Sequence, residues 1–235
     1  MQDNKLSKRL LWIADRVREN ILLYDVGTDH AKLPAYLLDN KRITSSVASD
    51  IHKGPLDKAQ TFINVCGYKD YIKLVLADGL TGIEIKPPCD IAICGMGGET
   101  IVNILSAEED IRDKNVRLLL QPMTDFAYLR GYLSENGFAI VDEDIVFSDD
   151  REYQCIVAEF TGEKYTLTDT EKELGKLCIE KRGEVFLQYV ERKIKMLDAC
   201  IAGKGKAAID TSFEESLRNE YKKILEGNYE TFGTV

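Results

Sequence analysis

The chain has 235 residues, of which 44% are hydrophobic and 30% are charged, and 31 basic and 40 acidic residues give it a net charge of −9. This composition is typical of a folded globular protein and excludes an intrinsically disordered chain. The longest apolar runs are far shorter than the roughly 20 residues that span a bilayer, and the first residues show no signal-peptide core. We therefore expect a cytoplasmic protein of one or two domains that does not coat nucleic acid with its whole surface.

The six cysteines and two histidines do not form a metal-binding pattern. No CxxC pair occurs, and the cysteines are scattered along the chain without regular spacing. We therefore expect neither a metal site nor a disulfide framework, and we interpret the cysteines as buried thiols in a reducing compartment.

Two periodicities alternate through the first two thirds of the chain. Apolar residues at positions 6, 10, 13, 14 and 17 predict an amphipathic, basic first helix. Short apolar runs then alternate with helical stretches up to residue 160, and the last two runs have no helix between them. This order predicts a doubly wound, mainly parallel, seven-stranded α/β sheet that ends in a hairpin. The predicted strands cover residues 21–26, 45–50, 72–76, 91–94, 116–121, 138–146 and 152–160, and the helices between them cover 31–40, 55–66, 99–107 and 124–136.

After residue 162 the alternation stops and a helical pattern begins. Apolar residues recur at helical spacing over residues 169–201, and the glycines of Gly203-Lys204-Gly205 predict a break before a second helix over residues 212–225. Two long helices joined in this way predict an antiparallel hairpin that resembles a coiled coil. The sequence thus predicts a sheet domain, residues 1–162, and a helical domain, residues 163–235.

The helical region has a local excess of positive charge. Residues 164–206 contain ten lysines and arginines against seven acidic residues, a balance of +3 in a chain of net charge −9. A solvated helix face is the more common cause of such an excess, and contact with nucleic acid is the alternative. Both interpretations remain open on the residues alone.

Ligands of open parallel sheets bind beyond the carboxyl ends of the strands, where four predicted strands carry acidic or glycine residues. The first strand runs through Asp25 into Gly27 and Thr28, and a glycine there lets a ligand approach the backbone at the start of a helix. Only one glycine of a GxGxxG pattern is present, so the dinucleotide signal is weak. Asp29 and His30 follow directly, and a helix N-cap is an alternative role for Asp29.

The second and third strand ends carry aspartates that suit a nucleoside. Asp50, which is followed by Ile51, lies where an ionised carboxylate accepts hydrogen bonds from two ribose hydroxyls. Asp78 can accept from an adenine amino group while Gly79 keeps the backbone near the ring. Each aspartate alone is more often a turn residue, but their order at successive strand ends favours a nucleoside cofactor.

The fourth strand end, Cys94-Gly95-Met96-Gly97-Gly98, has three glycines in four positions. This pattern predicts a backbone that passes close to a flat ligand, with a tight strand-to-helix turn as the alternative. Cys94 as a nucleophile is a further alternative, but the sequence provides no identifiable base for it.

Five strings in the chain together resemble one enzyme family: LSKRL, YDVGTDHAKLPAYL, ICGMGGE, LQPMTDFAYLRGYLSENGF and VDEDIVFSDDREYQCIVAE. They are similar to the bacterial tRNA (adenine(22)-N1)-methyltransferases from about residue 6 to residue 160, and more loosely beyond. The resemblance implies a Rossmann-like class I methyltransferase domain that binds S-adenosyl-L-methionine, and a helical domain used with tRNA. The CGMGG string replaces the Asn/Asp-Pro-Pro-Tyr/Phe clamp of amino-methylating enzymes, which argues against methylation of an exocyclic amine.

The resemblance and the strand-end residues together predict a tRNA-modifying enzyme that methylates adenine N1. This atom carries a lone pair, so alignment of the reacting atoms is the main requirement, and the base must be unpaired or extruded. Asp29 and His30 are the catalytic candidates beside the methyl donor, with Met96 as a wall for the base. The basic first helix and the helical tail would contact tRNA phosphates. The cofactor-binding candidates are Asp25, Gly27, Thr28, Asp50, Ile51, Asp78, Gly79, Cys94, Gly95 and Gly97.

Two other classes of protein are compatible with parts of the pattern. A nicotinamide-dependent enzyme would share the sheet and Asp50, but it needs a glycine-rich turn that this chain lacks. A non-catalytic RNA-binding protein with a nucleotide-binding domain explains the tail but not the four strand ends. Titration of S-adenosylmethionine against NAD, and methyl transfer to unmodified tRNA, separate the three classes.

Overall fold

A seven-stranded sheet forms the centre of the computed structural model, which describes residues 5–231. Its strands are β1 (Ile21–Val26), β2 (Ile43–Asp50), β3 (Ile72–Leu76), β4 (Cys89–Met96), β5 (Val116–Pro122), β6 (Phe138–Ser148) and β7 (Arg151–Phe160). The strand order is β3-β2-β1-β4-β5-β7-β6, and among these strands β7 alone runs opposite to all the others. The predicted doubly wound, mainly parallel α/β sheet with a closing hairpin is confirmed.

Helices cover both faces of the sheet. They are α1 (Lys8–Ala14), α2 (Lys32–Asp39), α3 (Lys53–Cys66), α4 (Gly98–Ser106) and α5 (Phe126–Glu135). One apolar cluster joins α1 and α2 to one face through residues such as Ile13 and Leu37, and another joins α4 and α5 to the opposite face through Leu105 and Leu133. Because both faces are buried, the central strands are nearly continuous apolar runs, which is why the sequence predicted these strands and their intervening helices well.

The helical region after the sheet differs from its prediction. It contains α6 (Asp169–Leu174), α7 (Lys176–Lys181), α8 (Glu184–Lys206) and α9 (Ser212–Glu226). The expected single helix over residues 169–201 is wrong, because Gly175 at φ +87° and Arg182 at φ +51° interrupt it. The expected break at residues 203–205 is also wrong, since an exposed glycine costs a helix only about 1 kcal/mol. The α8–α9 hairpin is confirmed and is antiparallel, with ion pairs Lys204–Glu214 and Arg218–Asp198.

A buried ion pair attaches the first helical turns to the sheet. Arg130 Nε of α5 donates to Glu143 Oε2 of β6 at 2.8 Å, and both side chains are 1% exposed. Arg130 Nη1 also donates to Lys172 O at 2.9 Å, while Glu143 Oε1 accepts from Leu177 N at 2.9 Å. Position 175 has no room for a side chain, since a Cβ there would lie 2.5 Å from Glu143 Oε2. The pair therefore holds α6 and α7 against β6.

The second half of α8 extends past the carboxyl edge of the sheet. The first half packs on β6, where Phe186 and Tyr189 share an apolar cluster with Ile145. Arg192 then forms an ion pair with Glu152 at the start of β7, the end of the sheet where the parallel strands finish. Fourteen further residues lead from position 192 to position 206, which is roughly 20 Å of helix at about 1.5 Å per residue. This part of α8 is mostly exposed.

The described residues also bear on membrane and metal binding. Within residues 5–231, no helix is both long enough and apolar enough to cross a membrane. The same part of the chain has no group of three or more His, Cys, Asp or Glu side chains placed to hold a metal ion. The cysteines are free thiols, of which Cys89, Cys155 and Cys178 are buried and Cys200 is exposed.

Candidate active site

The turn after β1 forms part of a cavity of about 320 Å³ at the carboxyl edge of the sheet. Gly27 and Thr28 donate their backbone N–H groups to Ser49 O of β2 at 2.8 and 2.9 Å, so the turn is fixed to the end of the next strand. Gly27 has φ +74°, and a Cβ there would lie 2.1 Å from Met96 Cε. Both the backbone conformation and the Met96 side chain therefore favour glycine at this position.

Asp25 is the most buried of the carboxylates that line the cavity, with 7% of its surface exposed. Thr28 Oγ1 donates to Asp25 Oδ2 at 2.5 Å. The pKa of Asp25 is raised to about 6, chiefly by burial and also by the negative charges of Asp29 and Asp50, while the hydrogen bond from Thr28 opposes the rise. The ionised form of Asp25 is thus disfavoured in the free protein. A positively charged ligand group in the cavity would stabilise this ionised form.

Asp29 and His30 form a pair at the mouth of the cavity. Asp29 Oδ1 lies 3.1 Å from His30 Nε2, and the Asp29 side chain is 81% exposed. The N-cap residue of α2 is Ala31, and no side chain caps this helix end. The alternative role of Asp29 as a helix cap is therefore wrong, and Asp29 is instead one of the residues that line the cavity.

The second strand end combines a carboxylate with an exposed apolar side chain. Asp50 is half-buried, and its Oδ1 accepts from His52 N at 2.7 Å. The neighbouring Ile51 is 55% exposed. A ribose ring can pack on such an apolar side chain while its hydroxyls donate to Asp50. This arrangement fits a nucleoside.

The third strand end meets α4. Asp78 is exposed and lines a second cavity of about 390 Å³, together with Thr100 and Asn103 of α4. Gly79 is buried, and a Cβ there would lie 2.8 Å from Ile104 Cγ1. The need for glycine at position 79 thus comes from packing against α4, whereas the sequence had suggested close approach to a ring.

The glycines after β4 have different surroundings. A Cβ on Gly98 would lie 2.4 Å from Asp125 O, and Gly98 N donates to Thr124 O at 2.9 Å, so this glycine serves a tight turn. Gly97 faces Thr124 Oγ1, which would be 3.0 Å from its Cβ. Gly95 has φ +79° with open space on its Cβ side. Close approach of a ligand is therefore possible at Gly95, while the tight-turn alternative holds for Gly98.

Cys94 lines the cavity, but its thiol is poorly suited to attack. Burial raises its pKa well above the usual value, and the charge of Asp25 raises it further. The thiol is therefore protonated at neutral pH, whereas a nucleophilic cysteine reacts as the thiolate. The structure gives no support to a nucleophilic role.

The sequence did not predict two parts of the cavity wall, which are the start of the first helix and the β6–β7 turn. Arg9 Nη1 donates to Gln121 Oε1 at 2.5 Å and Gln121 Nε2 donates to Arg9 O at 3.2 Å, which holds α1 against β5. Periodicity predicted the helix, but no local signal shows where it packs.

Two of the predicted cofactor-binding aspartates, Asp50 and Asp78, lie at neighbouring strand ends and do not line this cavity. The cavity is lined by Lys5, Leu6, Ser7, Arg9, Leu10, Asp25, Gly27, Asp29, Lys32, Leu33, Cys94 and Asp149.

Known proteins share this chain's sequence and its fold. Residues 6–156 match the family model described as a methyltransferase domain. A tRNA (adenine(22)-N(1))-methyltransferase of Bacillus subtilis (strain 168) is 35% identical over 159 residues, which cover 68% of this chain and 67% of the relative. This match and the family model identify the methyltransferase family independently of the structure.

Two solved structures of related proteins contain the methyl donor or the product that remains after the methyl group has left. A Streptococcus pneumoniae protein in complex with S-adenosyl-L-methionine has a TM-score of 0.84 at 30% identity, covering 94% of this chain and 100% of that one. M. capricolum TrmK in complex with S-adenosyl-homocysteine has a TM-score of 0.78 at 25% identity, covering 95% and 97%. With the sequence matches, these likenesses confirm what the motifs predicted: the chain belongs to the tRNA (adenine(22)-N1)-methyltransferase family.

Proposed function

We propose that this protein transfers the methyl group of S-adenosyl-L-methionine to N1 of an adenine in tRNA, at position 22 as in its named relative. One observation carries the proposal. A single edge of the sheet brings together the strand-end carboxylates of Asp25, Asp50 and Asp78 and the open turn at Gly95, in a chain of this family. The first three residues suit a nucleoside cofactor, and the turn leaves room for a base beside it.

The residues present fit the cofactor. With the cofactor bound, Asp50 would accept from the ribose hydroxyls beside the exposed Ile51, and Asp78 would accept from the adenine amino group. Asp25 sits in the cavity with a carboxylate that a positive charge would stabilise. When bound, S-adenosylmethionine supplies a methyl group on a sulfonium. The chain's own task is to hold that methyl group in line with adenine N1.

The base side of the reaction needs orientation more than proton transfer. Adenine N1 already carries a lone pair, so no residue has to deprotonate it before attack. Met96 and the turn around Gly95 are placed to form the wall against which the base lies. Asp29 and His30 stand at the mouth beside the methyl donor. Fixing the reacting atoms in this way can lower the activation free energy by at most about 7–11 kcal/mol.

Replacing Asp50 by alanine tests the cofactor site. Affinity for S-adenosylmethionine should fall by about 1.5–3 kcal/mol, the range for hydrogen bonds to a charged group, while NAD should not bind either protein. Isothermal titration calorimetry measures both. Asp57→Ala, on the exposed face of α3, is the matched control and should bind the cofactor normally. Unchanged affinity in Asp50→Ala would remove this residue from the ribose site.

The helical domain, residues 163–235, is the part of the chain we propose to contact tRNA. Many of its cations are used within the protein: Arg192, Lys193 and Lys204 pair with Glu152, Glu173 and Glu214. The segment after the first helix is similar, since Arg16, two residues beyond the end of α1, pairs with Asp142. The basic excess alone therefore overstates the charge available for phosphates. The exposed cations of the α8 segment beyond the sheet edge, Lys195 and Lys206, are the better candidates.

The double variant Lys195→Ala/Lys206→Ala should bind tRNA less tightly, with unchanged affinity for the cofactor. Each lost phosphate contact should lower the slope of log affinity against log salt by roughly one unit. Filter binding at several salt concentrations measures both quantities. Lys58→Ala/Lys73→Ala, at the opposite end of the sheet beside β3, is the control with the same charge change. Equal slopes in the two double variants would place tRNA recognition elsewhere.

A further inference from the structure

We propose that Asp149, at the tip of the β6–β7 turn, contacts the target adenine and accepts a hydrogen bond from its N6 amine. The inference rests on the proposed function and adds a residue that neither sequence motif nor strand-end rule had assigned. Asp149 lines the same cavity as Asp25, Asp29 and Cys94, although more than fifty residues separate it from Cys94 in the chain.

The turn holds the Asp149 carboxylate in place. Ser148 pairs with Arg151, so Asp149 and Asp150 form a two-residue hairpin loop, with φ of +51° and +60°. Aspartate tolerates this left-handed backbone better than most residues. Ser148 is buried, and its Oγ donates to Asp149 Oδ2 at 2.8 Å. One carboxylate oxygen is thus fixed by the protein, and the other can accept from a ligand.

The strand order decides which ligand Asp149 faces. The nucleoside carboxylates lie at the ends of β1, β2 and β3, which form one half of the sheet. Asp149 enters the cavity from β6 and β7, at the far end of the other half. A cofactor held by Asp50 and Asp78 therefore approaches the cavity from one side. The base that receives the methyl group has to approach from the other side, where Asp149 stands.

The chemistry of the transfer favours a carboxylate at that position. The N1–CH₃ bond forms as the CH₃–S bond breaks, so the sulfonium becomes a neutral thioether and the adenine becomes a cation. No proton moves in this step, so Asp149 neither gains nor loses one. The new positive charge spreads onto the N6 amine, whose hydrogen bond to Asp149 becomes stronger in the transition state than in the substrate. An interaction of this kind raises the rate of transfer.

Other charged groups line the same cavity. Lys5, Arg9 and Lys32 are cations, and Arg9 is engaged by Gln121. Asp150 has the same side chain and the same backbone conformation as Asp149 but lies outside the cavity lining. A variant of Asp150 is therefore the matched control, because it changes the turn in the same way without changing the cavity.

The test combines a protein variant with a change of one substrate group. Asp149→Asn keeps a residue that suits the turn and an oxygen that accepts from Ser148, but it removes the negative charge. Single-turnover methylation with saturating S-adenosylmethionine is measured on tRNA with adenine at the target position and on tRNA with purine, which lacks the N6 amine. Asp149→Asn should be roughly 10- to 100-fold slower on adenine, the effect of one charge-assisted hydrogen bond. On purine it should match the wild type, and Asp150→Asn should match the wild type on both.

The outcomes separate this inference from the proposed function. If the wild type methylates the adenine-containing tRNA and Asp149→Asn does so at the same rate, the inference about Asp149 is overturned and the proposed function remains supported. An equal loss on adenine and purine, or weaker cofactor binding, overturns it as well, because Asp149 would then act on the fold or the cofactor. Failure of the wild type to methylate either tRNA overturns the function and the inference together. Asp149→Gly, which suits a φ of +51°, replaces Asp149→Asn if that variant melts early.

Discussion

Replacing Asp29 by asparagine should slow single-turnover methylation of tRNA by roughly 10²–10³, the loss expected for an electrostatic group at a reacting centre. The carboxylate pairs with His30 at the mouth of the cavity and caps no helix, so removing its charge should leave the melting temperature nearly unchanged. Rapid-quench measurements at saturating cofactor give the rate, and thermal unfolding monitored by circular dichroism gives the stability.

Asp57→Asn, an exposed aspartate of α3, is the matched control for Asp29→Asn and should keep both rate and stability. The loss in Asp29→Asn should persist on purine-containing tRNA, because Asp29 lies on the cofactor side of the cavity. This behaviour separates it from Asp149. A variant that is less stable but transfers methyl groups at the wild-type rate would give Asp29 a purely structural role.

Replacing Glu143 by alanine should destabilise the protein by about 3–5 kcal/mol, because it leaves the Arg130 guanidinium buried without its charge partner. The same change removes the acceptor for Leu177 N and so loosens α7 from the sheet. Urea unfolding followed by tryptophan fluorescence and circular dichroism measures the free energy of unfolding.

Asp142→Ala provides the comparison for Glu143→Ala, since Asp142 precedes it in β6 and forms partly exposed ion pairs with Arg16 and with Lys181 of α7. Such pairs contribute about 1 kcal/mol or less. The double variant Arg130→Met/Glu143→Leu should recover much of the stability, because it removes both buried charges together. Equal losses of unfolding free energy in Glu143→Ala and Asp142→Ala would show that the buried ion pair contributes no more to stability than the partly exposed ones.

The sheet and its strand-end residues were predictable because they depend on local pattern and on one general rule. Apolar runs with both faces buried mark the strands, and parallel strands bring their carboxyl ends to a common edge. Asp25, Gly27, Asp29 and Cys94 therefore meet in one cavity as expected. The methyl donor and the tRNA substrate were predicted from the family motifs, because the general rule on strand ends does not identify the ligand.

The remaining features depend on contacts between distant parts of the chain. The helix α6 ends at Gly175, where the side chains of Arg130 and Glu143 leave no room for a Cβ, and neither residue is near it in sequence. Residues 203 and 205 show the opposite case, in which glycines stay helical because nothing competes with the helix at an exposed position. The Asp149 side chain belongs to a turn, and only the strand order brings this turn to the cavity.

The glycine turn after β4 is fastened to the β5–α5 loop before any substrate arrives. Met123 N donates to Met96 O at 2.8 Å, and Gly98 N donates to Thr124 O at 2.9 Å. If this turn forms the wall for the base, as we propose, it is already ordered, and we expect little conformational entropy of the protein to be lost there on binding. The reorganisation that precedes methyl transfer falls on the RNA, which has to unstack one nucleotide. We therefore expect the protein to methylate most readily those tRNAs that easily release that nucleotide from their own structure.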